Sequence, residues 1–418
     1  MITRHKIAFR FIVIFFTLLM LPFPFRVLPF LNFIGAGLLA FYQKVVPWIG
    51  SHVLHLPSEI TIFGNGSGDT TYNYVLLLFQ FGLALFGTLL WTVLERKPKN
   101  YERINYWFLV TMRYYLGMIL FQYGIVKIIQ LQFPPTNFYR LLEPIGDASP
   151  MGLAWTFLGF SAGYNLFIGL GEAIGGVLLF HRKTKILGCI VSIAVTVNIV
   201  AINFFYDVPV KLFSSQLLVM AVLILSPDLK QIFRVILLNL PTQSIQFYQP
   251  FKQKKWRKAA LALKVLFIGY ILFTLTFSAL QSQYIYGKKA ILPPLFGLYE
   301  VKDFSINQNP IQPLLNHPDR WRYLDINKGN RATVYQMDMT KVMYLVEVDS
   351  VKQRIDFKFS KDESPKLTFH YEESDAYLHL TGKMQNDSIA VKLIKRTLAD
   401  FNLTNRKFRW INEYPDNQ

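Results

Sequence analysis

The sequence predicts a membrane all-α helical bundle of about seven transmembrane helices followed by a C-terminal antiparallel β barrel or sandwich domain. Three observations predict it. Seven stretches are long and apolar enough to cross hydrocarbon about 30 Å thick. The basic residues between them fall in alternate loops. After residue 284 the apolar residues recur at every second position, which is strand spacing. With 52% hydrophobic and only 17% charged residues in 418, the chain has too few charges for a pair of soluble domains.

The predicted spans are 7–25, 74–94, 107–131, 153–180, 186–206, 212–226 with an apolar extension to 240, and 259–280. The first follows Arg4, Lys6 and Arg10 as a signal peptide would. Pro22, Phe23, Pro24, Phe25 and Arg26 after it offer no small-residue cleavage site, so it is read as a retained helix. Residues 27–49 are apolar but carry Pro29, Pro47 and two glycines, and are expected to form an interfacial or re-entrant segment. Arg96, Lys97, Lys99 and Arg103 fill one basic loop, Arg182, Lys183 and Lys185 a second, and Lys230 to Lys258 a third, which places these loops and the N-terminus in the cytoplasm. Loops 50–73, 132–151 and 207–211 are then outside, with the tail. Four regions result: N-terminal helices 1–106, a core 107–240, a basic loop and last helix 241–284, and a β domain 285–418.

The net charge is +18, of which +15 lies before residue 284 and +3 after it. Charge confined to short loops sets topology and meets anionic head groups of the bilayer; a nucleic-acid partner would require it on a soluble face, so none is expected. Cys189 is the sole cysteine and lies within an apolar span, which excludes a disulfide framework and a thiolate metal cage. No Gly-rich phosphate loop, HExxH or paired-histidine haem motif occurs, so no catalytic residue is assigned and no metal site is expected.

Ionised groups in hydrocarbon call for a partner or a task. Arg113, Gly117, Leu120, Gly124 and Lys127 are spaced 4, 3, 4 and 3, and Asn165, Gly169, Glu172 and Gly176 are spaced 4, 3 and 4, so each set shares one helical face. Depth along the helices brings Arg113 and Glu172 together as a buried ion pair, either a structural clasp or the lining of a ligand cavity. Lys127 and Lys211, near Asp207, are expected to reach up to the interface. Asn198, near the midplane, and Asn203 are expected to bond between helices, and Gly171 with Gly175 makes a close-packing GxxxG. The candidate ligand-binding residues are therefore Arg113, Lys127, Glu172, Asn198 and Lys211.

In the tail, the alternating runs Ile355, Phe357, Phe359, then Leu367, Phe369, Tyr371, then Ile389, Val391, Leu393 are divided by turn-like clusters at 327–330, 361–365, 372–375 and 385–388. An antiparallel meander of about six to eight strands follows, closing on side chains or on an apolar ligand.

The segment from Arg113 to about Pro227, through RYYLGMILFQYGIVK at 113–127, GLGEAIGGVLLF at 169–180 and NFFYDVPVKLF at 203–213, resembles the DoxX-like family of four-helix membrane proteins. WRYLDI at 321–326 and FRWINEYP at 408–415 look like the extracytoplasmic end of such proteins from Bacteroidetes-type bacteria. The resemblance implies a bacterial inner membrane and a DoxX-like four-helix core. It also implies redox association, because a subunit of a thiosulfate:quinone oxidoreductase belongs to that family. Carried over, Arg113, Lys127 and Glu172 fall in a quinone or anion pocket. The added N-terminal spans, the β tail and the lack of a cysteine placed for sulfur chemistry depart from that enzyme. The alternative is a non-catalytic scaffold or receptor that presents the β domain to an envelope protein or a lipid.

Overall fold

A computed structural model describes all residues except 1–5, 29, 63, 65, 96–99, 243–247, 360–365, 375–376, 385–386, 407 and 415–418. The chain divides into two compact units, one of Met1–Phe133 with Ser149–Leu280, the other of Pro134–Ala148 with Gln281–Gln418.

The first unit is helical: α1 Lys6–Met20, α2 Asn32–His52, α3 Thr71–Leu94 and α4 Glu102–Ile128, then, after the short α5 Phe138–Leu141 of the second unit, α6 Pro150–Phe160, α7 Ala162–Phe180, α8 Lys185–Phe205, α9 Lys211–Leu225, α10 Leu229–Ile236 and α11 Lys254–Ile285, whose residues after Leu280 count with the second unit. Among the described residues, α2, α3, α4, α7, α8, the Lys211–Ile236 stretch and α11 are seven helices long and apolar enough to cross a membrane. The number matches the seven read from the sequence, but the members differ. Helix α1 has 15 residues and ends at Met20, ahead of Pro22 and Pro24. Helix α2 runs unbroken through Pro47, which removes one N–H from the ladder without ending it, and is not the interrupted segment expected of 27–49.

Contacts along α3 show where α2 lies. Arg10 of α1 bonds to Thr92, and Gln80 bonds to the Leu18 carbonyl, so α1 runs antiparallel to α3. Tyr42 of α2 is within electrostatic reach of Tyr72, at the Thr71 end of α3. Helix α2 thus meets α3 near its Thr71 end, away from Arg10.

The expected span at 153–180 is broken. Ser161 leaves helical geometry at φ −105°, ψ 116°, caps α7 by accepting from the Tyr164 amide, and separates α6 from α7. The Asn165 side-chain amide donates at 2.6 Å to the Leu158 carbonyl, whose partner in an unbroken helix would be the Ala162 amide, and at 3.2 Å to the Ser161 carbonyl, which also keeps its helical bond from the Asn165 backbone.

Helices α4, α7, α8 and α9 pack in a ring, each on the next and α9 back on α4. Their core holds Met112, Leu116, Leu120, Leu179, Cys189, Met220 and Ile224, all buried. Asp69 starts α9 by accepting from the Lys211 and Leu212 amides at 2.7 and 2.9 Å.

The second unit is a closed antiparallel barrel. Its strands are β1 Gly297–Ile306, β2 Asn309–Pro310, β3 Trp321–Asn327, β4 Arg331–Gln336, β5 Lys341–Asp349, β6 Arg354–Lys358, β7 Leu367–Glu373, β8 Leu378–Met384 and β9 Asp387–Arg396, and a short α12 Asn402–Asn405 follows. Eight strands pair in sequence order from β1 through β3 to β9, and β9 returns to β1, while β2 is a two-residue hairpin on β1. Closure leaves the eight-stranded wall without an open edge. The alternating residues point as their spacing requires: Ile355, Phe357, Leu367, Phe369, Tyr371, Ile389, Val391 and Leu393 are buried, and Phe359 stacks on Tyr344 at 5.2 Å. Side chains fill the interior, with Trp321, Phe357 and Phe369 in mutual edge contacts at 5.7 to 6.0 Å. Gly382, opposite Phe369, has no room for a side chain, since a Cβ there would lie 2.3 Å from the Thr368 carbonyl oxygen. The expected turns at 361–365 and at 385–386 lie outside the described residues.

Candidate functional site

The site is built on the contact between α4 and α7, where two pairs of glycines fix an antiparallel register. A Cβ on Gly124 would sit 2.6 Å from Ala173 N and Gly169 O, and one on Gly176 would sit 2.5 Å from Gly117 O. The backbones therefore touch, as small residues allow. Gly171 and Gly175, the GxxxG pair, instead face α8, where a Cβ would lie at an ordinary 3.5 Å from Val195 and at a tight 3.3 Å from Ser192, in both cases from side-chain atoms.

In this register Gly117 lies beside Gly176 and Gly124 beside Gly169, so Glu172 is level with residue 121 of α4. Side chains on a helix lean toward its N-terminus. Glu172 therefore leans toward the Lys127 level, and Lys127 leans back toward Glu172. Their charged atoms meet, Lys127 Nζ donating to Glu172 Oε1 at 2.5 Å, with side chains only 6% and 2% exposed. The rings of Tyr123 and Phe133 flank the ammonium at 5.6 and 5.8 Å, replacing part of its lost hydration.

This corrects the expected Arg113–Glu172 pair. Arg113 lies about 12 Å further along α4, eight residues at about 1.5 Å each, and leans away. It is buried at 7% exposure, yet it has no ion pair among the described residues, and its Nε has no hydrogen-bond partner. Lys127 does not reach out to an interface; it is the buried partner of Glu172.

The other candidates do not join this site. Asn198 is exposed on α8. Lys211 pairs with Asp207 at 2.6 Å, one turn away at the start of α9. Asn203 donates to Ser214 Oγ at 3.0 Å and so ties α8 to α9, the interhelical bond expected of it. Two acceptors at the pair remain open: Glu172 Oε2 and Asn165 Oδ1 are buried with no hydrogen-bond partner. The arrangement neutralises one cation and one anion across two helices and leaves acceptor capacity beside them. It presents no nucleophile.

A second buried charge cluster went unread in the sequence. Arg10 reaches Glu95 at 2.6 Å, Thr92 at 2.7 Å and the Tyr101 hydroxyl at 2.6 Å, which joins α1, the end of α3 and the start of α4. Trp91 adds an indole donor to Glu95 at 3.0 Å. Its signal was Glu95, an acid immediately after a span, with Arg10 inside one.

In the barrel, Asp325 is 1% exposed and accepts only from the Asn327 amide at 2.8 Å. Burial pushes its carboxyl up to about 7. Burial together with Asp325 also raises the nearby Tyr335 phenol. Glu143 and Tyr139, from the 134–148 segment of the same unit, receive Lys341, whose ammonium lies 4.2 Å from the Tyr139 ring.

Over 120 residues, amounting to 28% of this chain and 75% of the other, the sequence is 38% identical to an uncharacterized protein, YwoB, of Bacillus subtilis (strain 168). No family model matches the chain, and no solved structure matches it.

Proposed function

The chain belongs to the family of the Bacillus subtilis protein YwoB, and from that premise we propose that it is a multi-pass bacterial inner-membrane protein acting as a non-catalytic scaffold, with its barrel held outside the cytoplasm for an envelope protein or lipid partner. The seven long apolar helices support membrane insertion. The basic loops that follow α3, α7 and α9 support a cytoplasmic side for those ends. Helix α2, gathered with the Thr71 end of α3, then belongs to the outer side, and α1 with the chain after it makes the first crossing.

The observation that carries the scaffold reading is the closed Lys127–Glu172 pair beneath touching glycine backbones. Charges that a transport or redox site would offer to a substrate are here given to each other. Of the three residues the DoxX-like resemblance would assign to quinone, Arg113 alone lacks an ionic partner, so quinone association and redox chemistry rest on that residue.

Photo-crosslinking from the exposed Val351 in intact cells tests the reading. The expected result is capture of one envelope protein or lipid that is lost when residues 281–418 are removed. Capture of nothing, with full cellular function after the deletion, would overturn it.

A further inference from the structure

We infer that Arg113, together with Lys264 and His181, binds the phosphate of an anionic phospholipid. The inference rests on the membrane reading above and is independent of the scaffold role. Arginine stays charged at every ordinary pH, so burial cannot be relieved by loss of its proton. At 7% exposure, with Nε unpartnered and no carboxylate bonded to it among the described residues, Arg113 holds a positive charge that protein groups leave uncompensated.

Three helices bring cations to one place. In the α4–α7 register Arg113 is level with Phe180, the residue before His181. Tyr114, next to Arg113, packs on Phe180 at 5.6 Å and on Phe267 of α11 at 6.0 Å. Lys264 lies one turn before Phe267, on the same side of α11. Arg113, Arg182, Lys183 and Lys264 all act on His181 as repelling charges, and Arg113 and Arg182 act so on Lys264. Among the described residues, the acid that acts on Cys189 together with Arg113 is Asp228, and it is already paired with Lys185.

A convergence of cations calls for a full negative charge. A neutral quinone carbonyl would leave the excess in place, whereas a phosphodiester removes it and accepts several charge-assisted bonds. Leu261, one turn before Lys264 on α11, and Val265, next to it, are exposed and give acyl chains a surface that a free phosphate would not use. Arg113, leaning toward the N-terminus of α4, points to the side on which the basic loops lie.

The test uses the full chain in nanodiscs of equimolar phosphatidylglycerol and phosphatidylcholine, with retained lipids identified by native mass spectrometry. The expected result is enrichment of phosphatidylglycerol, falling about fivefold in Lys264→Gln and further in Arg113→Gln, with Lys211→Gln unchanged. Lys264 is partly exposed, so its variant keeps the test valid if Arg113→Gln fails to fold. Equal retention of the two lipids, enrichment untouched by Lys264→Gln, or a quinone in place of the lipid would overturn the inference. Crosslinking at Val351 does not depend on these residues, so the two readings fail separately.

Discussion

The two units bury carboxylates in opposite ways. In the helical unit Glu172 is closed off by Lys127, ammonium to carboxylate, with two aromatic rings around the cation. In the barrel Asp325 is just as inaccessible but receives only one amide, from Asn327, and no cation. Each carboxylate has one oxygen bonded and one left open; what differs is the partner, a cation for Glu172 and a neutral amide for Asp325, whose carboxyl is held near neutrality by taking up a proton. The first solution ties two helices together. The second makes the barrel respond to pH.

Removing one partner of the helical pair is the strongest perturbation of that comparison. Glu172→Gln leaves the Lys127 ammonium buried without its anion and should cost about 3–5 kcal/mol in thermal unfolding in detergent. A loss under about 1 kcal/mol would mean that water already reaches the pair.

The barrel should show the complementary behaviour. With the Asp325 carboxyl at about 7 in the fold and about 3.9 in the unfolded chain, the folded state holds the proton that the unfolded chain has released at intermediate pH. Stability is therefore highest below about pH 4, falls as pH rises through about 7, and then levels off, a loss of up to about 4 kcal/mol. Hydrogen exchange in β3 and β4 of the intact protein should follow that curve, and Asp325→Asn should flatten it. A curve that rises with pH would show that Asp325 is ionised in the fold.

Smaller effects separate the two glycine surfaces. Gly124→Ala forces a methyl against the α7 backbone and should cost about 1–3 kcal/mol. Gly171→Ala, with Val195 at 3.5 Å, should be neutral or stabilise α7 by up to about 1 kcal/mol through helix propensity. Equal effects would break the register on which the Lys127–Glu172 geometry depends. Lys211→Gln, which removes an exposed i,i+4 pair, should leave the melting temperature unchanged.

The pattern that could be read in the sequence was the pattern of burial. Alternation through Leu367, Phe369 and Tyr371 marks strands with one face inward, and the barrel follows from it. Spacing placed Arg113 and Lys127 on one face of α4, and Asn165, Gly169, Glu172 and Gly176 on one face of α7, which is where the helices meet. Which cation reaches Glu172 was not legible from depth alone. It depends on the direction in which side chains lean and on a register set by glycine contacts, and both are properties of the helix pair. The break at Ser161 was hidden for a related reason. The apolar run is continuous there, and the interruption is stabilised by the Asn165 amide on the Leu158 carbonyl and by the Ser161 hydroxyl that caps α7. The Arg10–Glu95–Tyr101 cluster depends on α1, α3 and α4 lying together; Arg10 inside a span and Glu95 just after another mark the charges but not that they meet.

The account turns on Lys127 and Glu172 acting as one closed unit. A double-mutant cycle of Lys127→Met and Glu172→Leu, read by unfolding in detergent, measures that directly. Each single change should destabilise by about 3 kcal/mol or more, and the double variant should recover to within about 1 kcal/mol of the parent, for a coupling of about 5 kcal/mol or more. Additive losses with no recovery would contradict it, because they would show that each charge is held by something other than its neighbour.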